Sequence, residues 1–370
     1  MSQAHPPEST PSAAPLWSDA QRAADFNAWL GTLAPAHGLS IDSLRMASAD
    51  ASFRRYFRID SAQGSRIIMD APPQQEDCRP FAKVAELMAQ AHVRVPQLLA
   101  WDQAKGFMLL SDLGAQTMMQ LIQRDKPQAN QGLYLQAVDA LIAWQTASRP
   151  GVLPPYDEAL LRRELALFPD WYLARYRGVA VEGELRRTLD ASFQLIIEHN
   201  LAWPSVYVHR DFMPRNLMIS NDGPQTPLDG NKETRIGVLD FQDAVYGPIT
   251  YDIASLMRDA FLSWAEDFCL DITIRYWEKA RKAGLPVGDD FGEFYRGVEW
   301  MGLQRHLKVA GIFARLTLRD GKPQYLADTP RFINYIRATC ERYRELKPLL
   351  RLIERVEGIT VANAYAFGRI

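Results

Sequence analysis

Cysteine is scarce in this sequence: Cys78, Cys269 and Cys340 are the only three, and no two of them form a CxxC pair. They cannot build a disulfide framework or a thiolate-only zinc site, so we expect buried thiols in a reducing compartment. An excess of one charge is also lacking, because 42 Lys and Arg oppose 44 Asp and Glu and leave a net charge of -2. No overall field favours nucleic acid or an acidic membrane, and neither is expected as a partner.

Long apolar runs are absent as well, since no stretch approaches the roughly 18 residues that a membrane span needs. The beginning of the chain, MSQAHPPESTPSAAP, has neither the basic nor the apolar part of a secretion signal. We therefore expect a cytoplasmic protein. Residues 1–15 carry four prolines and no hydrophobic periodicity, which predicts a disordered tail.

Residues 16–112 combine helical and strand patterns and predict a small α+β domain. Ser18 followed by Gln21 fits a capping box, and the apolar residues that follow recur at helical spacing. Alternating segments separated by turn residues then predict three strands, a helix and two further strands. We expect these elements to form an antiparallel sheet that carries a helix.

The remainder, residues 113–370, has the periodicity of amphipathic helices over almost its whole length. Three short β-rich runs interrupt it, and they read VYVH, NLMIS and RIGVLDF. The last two flank a polar stretch, which predicts a long hairpin loop. The predicted fold class is α+β with two lobes, an antiparallel-sheet N-lobe and a mainly helical C-lobe, joined near residues 111–114.

The segment from His209 to Asn216 reads HRDFMPRN and has the HRDxxxxN spacing of a phosphotransferase catalytic loop. Chemistry accounts for the spacing, because a carboxylate must accept the proton of the acceptor hydroxyl while an amide oxygen coordinates the Mg²⁺ that bridges the phosphates. We assign the first role to Asp211 and the second to Asn216. ATP and Mg²⁺ are therefore the expected cofactors, and the expected partner is a small-molecule substrate, with no obligate protein partner evident.

A second metal carboxylate is expected after a buried strand, since Mg²⁺ prefers carboxylate and phosphate oxygens. The apolar run IGVL leads to Asp240, which we assign as that ligand. Asp243 either contacts the metal or substrate or is a solvated loop carboxylate. Asp252 begins an amphipathic helix, and a tie to the catalytic-loop backbone is favoured over a simple helix-terminal charge. We assign His209 to packing, because the other histidines show no metal-ligand spacing.

With these motifs, the sequence resembles the aminoglycoside phosphotransferase and choline kinase-like group of small-molecule kinases, whose fold is protein-kinase-like and bilobal. The resemblance covers most of the chain. Other segments resemble the branch of this group that phosphorylates N-acetylmuramate and N-acetylglucosamine at the anomeric hydroxyl in peptidoglycan recycling; these segments are ADASFRRYFRI, IIMDAPP, VHRDFMPRNLM, GVLDFQDAVYGPITYDIASLMRDAF and QRHLKVAGIFARL. The resemblance implies Asp211 as base, Asn216 and Asp240 as magnesium ligands, and ATP between the lobes.

The sequence departs from a protein kinase on the nucleotide side. Met69 and Asp70 stand where a lysine would end the third strand, and neither GxGxxG nor APE is present. Another cation must oppose the triphosphate charge, and the arginines of the first hairpin and Arg215 of the catalytic loop are the best placed by sequence. For each of them, the alternative interpretation is an ordinary surface arginine. Strand alternation points neighbouring hairpin side chains to opposite faces. The nucleotide-binding candidates of the hairpin are Ser52, Arg54 and Arg55.

The connector LLSDLG is predicted to read adenine through backbone groups of Ser111, Asp112 and Leu113, although a simple turn between lobes would have the same composition. Sugar contacts are expected from aromatic and basic side chains that can stack on a ring or pair with a carboxylate. Most aromatic residues at helical spacing are core residues, which is the competing interpretation. The candidates are Trp171, Tyr172, Arg305, His306 and Lys308.

The motifs predict an ATP-dependent small-molecule kinase, and the resemblance implies an amino-sugar hydroxyl as its acceptor. A first alternative is another acceptor of the same class, such as an aminoglycoside, choline or homoserine. The C-terminal helices, rich in Arg and Lys, do not suggest the acidic pocket that a polycationic aminoglycoside would need. A second alternative is a nucleotide-binding pseudokinase, which the missing strand lysine suggests and the intact Asp211, Asn216 and Asp240 oppose.

Overall fold

The computed structural model describes residues 17, 19–49, 53–219 and 236–359, and these divide into two compact units. Unit 1 comprises the described residues up to Gln120 together with those of Leu217–Asp243. Unit 2 comprises Leu121–Asn216 and the described residues from Ala244 onward. The predicted disordered tail and the predicted hairpin loop lie outside the described residues.

The strands that the structure describes are β1 (Leu39–Ala49), β2 (Arg55–Ser61), β3 (Gly64–Asp70), β4 (Leu98–Asp102), β5 (Phe107–Ser111), β6 (Gln116–Thr117), β7 (Ser205–Val208), β8 (Leu217–Ile219), β9 (Ile236–Val238) and β10 (Val245–Pro248). The α-helices in the same part of the chain are α1 (Ala20–His37), α2 (Arg79–Gln90), α3 (Met118–Leu121), α4 (Gln131–Thr146), α5 (Glu158–Leu167), α6 (Gly183–Leu201), α7 (Thr250–Met257), α8 (Glu266–Lys282), α9 (Phe291–Leu318), α10 (Thr329–Arg342) and α11 (Lys347–Glu357).

Unit 1 is built on a five-stranded antiparallel sheet with the order β1-β2-β3-β5-β4. This confirms the predicted series of one helix, three strands, a second helix and two strands. The N-cap of α1 is Asp19, whose carboxylate accepts hydrogen bonds from the backbone N–H groups of Gln21 and Arg22 at 2.8 and 3.2 Å. The predicted cap, Ser18, lies outside the described residues, and the carboxylate one position later satisfies the free amides of the first turn.

One face of this sheet packs against α1 and forms an apolar core. Its buried residues are Phe26, Leu30, Leu39, Phe57, Ile59, Ile68, Phe107 and Leu109. Asp70 lies on the same face, fully buried, and pairs with Arg22 and Arg55. A buried carboxylate is tolerated only when it is paired, so the residue that replaces the strand lysine serves to attach α1 to the sheet.

A second, smaller sheet explains why a central segment of the sequence joins unit 1. Strand β8 pairs with both β6 and β9, in the order β6-β8-β9. The antiparallel pairing of β8 and β9 confirms the predicted hairpin strands. The division of the structure therefore differs from the predicted boundary between residues 112 and 113, because Leu217–Asp243 groups with the sheets and not with the helices.

Unit 2 is mainly helical and is organised around α9, against which α5, α6, α7 and α10 pack. A two-stranded ribbon of β7 and β10 positions the residues before the HRDxxxxN segment. Strand β10 was not among the predicted strands. Its four residues pair with β7 through a long-range register that the local pattern of VYGP does not reveal.

The predicted helix over EALLRRELALFPDWYLARY changes type midway. After α5 the segment Phe168–Tyr176 winds as a π-helix. Pro169 lacks the N–H that an α-helix requires, which accounts for the change at this point. All three cysteines are buried and free, as predicted. Among the described residues, no helix combines the length and the apolar character that crossing a membrane requires.

Candidate active site

The HRDxxxxN segment of unit 2 follows β7 directly and ends in a short 3₁₀ turn, Pro214–Asn216. His209 is fully buried, and its ring lies edge to face against Phe212 with centroids 5.8 Å apart. Its Nδ1 accepts a hydrogen bond from the backbone N–H of Asp211 at 3.2 Å. These contacts agree with the packing role predicted for the histidine, which shapes the loop around the aspartate.

Asp252, at the start of α7, holds this loop by its backbone. Its Oδ2 accepts a hydrogen bond from the N–H of His209 at 2.7 Å and its Oδ1 one from the N–H of Arg210 at 3.0 Å. Burial raises the pKa of Asp252, and these two hydrogen bonds oppose that effect. The predicted tie between Asp252 and the catalytic loop is confirmed. Arg210 has a φ of 78°, a left-handed conformation that a long side chain adopts only under such constraint.

Three cations act electrostatically on the half-buried Asp211. Burial alone would raise the pKa of this carboxyl, but the charges of Lys308, Arg305 and Arg210 outweigh it and leave the pKa lowered. Arg305 is itself anchored, since its Nη1 donates to the carbonyl oxygen of Arg210 at 2.6 Å. Asp211 is therefore ionised at neutral pH and able to accept a proton.

The buried Glu164 of α5 holds two of these cations in place. Its Oε1 accepts hydrogen bonds from Arg210 at 2.5 Å and from Lys308 at 2.8 Å, and its Oε2 accepts from Tyr156 and Gln304. Burial would raise the pKa of Glu164, but the Lys308 and Arg210 charges lower it to about 2. The sequence prediction missed this residue. Its signal was a charged side chain on the apolar stripe of α5, beside the buried Leu161 and Leu165.

Asn216 closes the loop on itself, because its Nδ2 donates to the backbone oxygen of Asp211 at 2.9 Å. This bond orients the amide, whose Oδ1 is the atom able to bind a cation. Arg215 is exposed, and its guanidinium lies 4.8 Å from the centre of the Phe261 ring. The loop thus presents a carboxylate, an amide oxygen and a cation within six residues.

Asp240, in unit 1, follows β9 and is exposed. Its φ of 64° is a left-handed conformation, and its Oδ1 accepts a hydrogen bond from Gln242 Nε2 at 2.9 Å. The next residue, Phe241, is fully buried and packs on Phe81 of α2 with ring centroids 4.9 Å apart. The carboxylate therefore projects from a turn whose base is fixed in the core, as a strand-end metal ligand requires.

The two arginines of the first hairpin have different environments, as alternation predicted. Arg54 is buried and forms an ion pair with Glu76 at 3.0 Å. Arg55 pairs with Asp70 and lies 4.0 Å from the centre of the Trp17 ring, on the α1 side of the sheet. The phosphate role predicted for Arg55 is not supported, because its charge is engaged in packing α1. Ser52 lies outside the described residues.

Several groups of the connector are already engaged by neighbouring residues, and its adenine role stays a prediction. The N–H of Ser111 donates to the carbonyl oxygen of Gln97 at 2.9 Å and so cannot read a base. The carboxylate of Asp112 accepts hydrogen bonds from Arg58 at 2.6 Å and from Ser65 at 2.7 Å. The side chain of the next residue, Leu113, is buried. Backbone groups of Asp112 and Leu113 remain the predicted adenine contacts.

The predicted sugar contacts of unit 2 are spread over different surroundings. Trp171 is half-buried with the Arg175 guanidinium 3.9 Å from its ring centre, and Tyr172 is a core residue. Arg305 adjoins Asp211, as described above. His306 is buried, contacts the Arg258 carbonyl oxygen through Nε2 and has its pKa lowered to about 3 by burial, which contradicts a contact with substrate. The neighbours Arg305 and His306 point apart because α9 turns by about 100° per residue.

Asp243 is exposed, three positions after Asp240 in unit 1, and its substrate or metal role stays a prediction. No cluster of three or more His, Cys, Asp or Glu side chains suited to a metal ion occurs among the described residues. Mg²⁺ does not require one, because it is bound through one or two carboxylates together with substrate phosphates and water. The hard oxygens of Asp240 and Asn216 therefore fit this cation by their chemistry.

The sequence of this chain is similar to a known enzyme family and to named proteins over most of its length. The model of the phosphotransferase enzyme family matches residues 43–291. A protein of Pseudomonas aeruginosa named N-acetylmuramate/N-acetylglucosamine kinase is 49% identical over 343 residues, which cover 91% of this chain and 97% of the relative. A protein of the same name from Neisseria meningitidis serogroup B is 47% identical over 340 residues, with 91% and 97% covered.

The fold has solved counterparts as well. The crystal structure of a choline/ethanolamine kinase family protein from Mesorhizobium loti superposes with a TM-score of 0.56 over 90% of this chain and 99% of that one. The two sequences are only 14% identical, so this likeness concerns the fold alone. It agrees with the predicted protein-kinase-like class.

Proposed function

The chain belongs to the phosphotransferase enzyme family, and we propose that it transfers the terminal phosphate of ATP to the anomeric hydroxyl of N-acetylmuramate and N-acetylglucosamine. The observation that carries this proposal is Asp211, an ionised carboxylate in a loop whose backbone is fixed by Asp252. The relatives of 47% and 49% identity support the choice of acceptor. The proposal includes a place in peptidoglycan recycling and a cytoplasmic reaction, where ATP is available.

Asp211 orients the acceptor hydroxyl and accepts its proton as the oxygen attacks the phosphorus. The transfer needs little covalent chemistry from the protein, so rate depends on positioning and on electrostatic stabilisation. The charges of Lys308, Arg305 and Arg210 keep Asp211 ionised. Glu164 holds the Arg210 and Lys308 side chains in place through ion pairs. The loop thus stays in its reactive shape before substrate arrives.

Asn216 in unit 2 and Asp240 in unit 1 are each proposed as a Mg²⁺ ligand, because each presents an oxygen suited to a hard cation. A Mg²⁺ ion held by these residues would neutralise phosphate charge. Arg54 is the proposed phosphate-binding cation of unit 1, and Glu76 fixes its guanidinium by an ion pair. Arg54 would thereby supply the charge that a strand lysine supplies in a protein kinase.

Paired variants of the hairpin test the role of Arg54. Arg54→Gln is expected to raise the KM for ATP by about 10- to 100-fold, because a charged hydrogen bond to phosphate is lost. Arg55→Gln is expected to leave that KM unchanged and to lower the thermal midpoint, since Asp70 loses one of its two cations. Steady-state kinetics and thermal unfolding give the two readouts. Equal KM values for ATP in both variants would contradict a phosphate contact by Arg54. A fall in kcat for Arg215→Gln that exceeds the effect of Arg54→Gln would instead indicate that Arg215 opposes the phosphate charge.

The position of phosphorylation tests the proposed acceptor chemistry. With ATP and Mg²⁺, free N-acetylglucosamine is expected to yield a product that mild acid hydrolyses, because a glycosyl phosphate is far more acid-labile than a 6-phosphate. Methylation of the anomeric oxygen is expected to abolish turnover, since it removes the one hydroxyl that the base can reach. Phosphate release after acid treatment is the measurement. An acid-stable product, or efficient turnover of the methyl glycoside, would contradict anomeric specificity and leave the kinase assignment intact.

A further inference from the structure

An exposed cation of the catalytic loop has no carboxylate partner within the described residues. Arg215 is exposed, and in that part of the chain neither a hydrogen bond nor an ion pair engages its guanidinium. The guanidinium lies 4.8 Å from the centre of the Phe261 ring. Stacking on a ring holds a guanidinium in place and leaves its hydrogen-bond donors unused. The charge of Arg215 is therefore available to a ligand that arrives from solvent.

The ring that supports Arg215 is itself fixed. The N–H of Phe261 donates to Oδ1 of the buried Asp259 at 2.8 Å, which holds the backbone. The Phe261 ring packs against the buried Phe313 of α9, with ring centroids 5.9 Å apart. Because the support is held at both backbone and ring, less conformational entropy is lost when the guanidinium binds a ligand.

The loop also brings this cation close to the proposed base. Arg215 is the central residue of the 3₁₀ turn Pro214–Asn216. The Nδ2 of Asn216 donates to the backbone oxygen of Asp211 at 2.9 Å, so the end of the turn contacts the residue of the base. Consecutive Cα atoms are about 3.8 Å apart, and Arg215 therefore begins one short step from that contact.

The other cations near the proposed base are already bound by groups of this chain. Arg210 and Lys308 form ion pairs with the buried Glu164 at 2.5 and 2.8 Å. Arg305 is 3% exposed and donates to the carbonyl oxygen of Arg210. Of these four cations in the described part of unit 2, Arg215 is the one that is exposed and has its donors unused.

The two proposed acceptors differ in charge at one position of the ring. N-acetylmuramate carries a lactyl ether on O3 that ends in a carboxylate, whereas N-acetylglucosamine has a hydroxyl there. C3 is two ring carbons from the anomeric carbon, so a sugar whose anomeric hydroxyl meets Asp211 presents its carboxylate a few ångströms away. A planar guanidinium matches a carboxylate through two parallel hydrogen bonds. We propose that Arg215 binds the lactyl carboxylate of N-acetylmuramate and so sets the preference between the two sugars. This inference rests on the proposed function.

Kinetics with both sugars test the role of Arg215. Arg215→Gln is expected to lower kcat/KM for N-acetylmuramate by about 10- to 50-fold, because a charge-assisted pair is lost. The loss for N-acetylglucosamine is expected to stay below about 3-fold, since that sugar has no carboxylate to bind. Converting the lactyl carboxylate to its amide is expected to reproduce the loss with the wild-type protein and to add little to it in the variant, because the same pair is missing in both.

Ionic strength gives a second readout that needs no variant. The attraction between an exposed guanidinium and a carboxylate is screened by salt. The ratio of kcat/KM for N-acetylmuramate to that for N-acetylglucosamine is therefore expected to fall as salt rises from about 0.05 M to about 0.5 M. With the lactyl amide in place of the acid, the same ratio is expected to stay constant.

A matched control is Arg281→Gln. Arg281 is an exposed arginine whose guanidinium also lies near a ring, 4.7 Å from the centre of Trp277, but its charge is paired with Asp289. It is expected to leave the ratio for the two sugars unchanged.

Equal losses for both sugars in Arg215→Gln would overturn the inference and indicate that this charge opposes a phosphate of ATP. A wild-type protein that does not distinguish the lactyl acid from its amide would overturn it as well. In either case the phosphorylation of N-acetylglucosamine would remain. A wild-type protein that phosphorylates neither sugar would instead refute the proposed function, and with it this inference.

Discussion

Asp211→Asn is expected to lower kcat by about 10²- to 10⁴-fold, the usual contribution of a general base. The amide keeps the size and shape of the side chain but cannot accept the proton of the attacking hydroxyl. ATP binding is expected to be nearly unchanged, because the proposed phosphate and metal contacts lie on other residues. Initial rates at saturating sugar and ATP, together with ATP titration calorimetry, measure the two effects.

The surface variant Asp190→Asn is a suitable control for this substitution. Asp190 forms an exposed i,i+4 pair with Arg186 on α6, and such pairs contribute little to stability. Both variants should unfold at nearly the wild-type temperature. Near-normal turnover by Asp211→Asn would show that another group accepts the proton, and loss of ATP binding would indicate a damaged loop in place of a missing base.

Asp240→Ala is expected to remove the magnesium dependence of nucleotide binding. A metal ligand at the phosphates is worth several kcal/mol, so ATP affinity in the presence of Mg²⁺ should fall by about 100-fold or more, toward the affinity measured without metal. The turn itself should survive, because Phe241 remains buried against Phe81 of α2. Alanine also removes an acceptor from Gln242, a surface contact of little consequence.

Calorimetric titration of ATP with and without Mg²⁺ measures this effect. Asp60→Asn is the control in the same unit, because Asp60 is an exposed carboxylate that pairs with Arg45 on the sheet. Unchanged metal-dependent affinity in Asp240→Ala would contradict the assignment. The role would then pass to Asp243, and Asp243→Ala would be the next variant to titrate.

Short-range spacing alone supplied the proposed catalytic and metal-binding residues of the loops. HRDxxxxN identified Asp211 and Asn216, and the apolar run before Asp240 identified the strand end. The alternation expected of the hairpin separated Arg55, the first residue of β2, from Arg54, which precedes that strand. Such candidates arise where one stretch of backbone carries the whole signal, because helix and strand periods place neighbouring side chains without reference to distant residues.

The sequence pattern was less informative for groups whose partners lie elsewhere in the chain. The Ser111 amide looked available in the sequence, yet it pairs with Gln97 across β4 and β5. Arg305 and His306 are adjacent in α9, but only Arg305 lies beside the catalytic loop, since His306 contacts Arg258 and stacks on Tyr335. Periodicity predicts that a helix has a buried face without identifying what that face meets.

The sequence by itself therefore determined the family of reaction and the order of elements in unit 1, and it supplied the proposed base and metal ligands. Tertiary structure alone decided which charges converge: Glu164 meets Arg210 across 46 positions of sequence and Lys308 across 144. The physical reason is that the pKa of a buried group and its hydrogen bonds depend on neighbours from several elements, and these are chosen by packing and not by spacing along the chain.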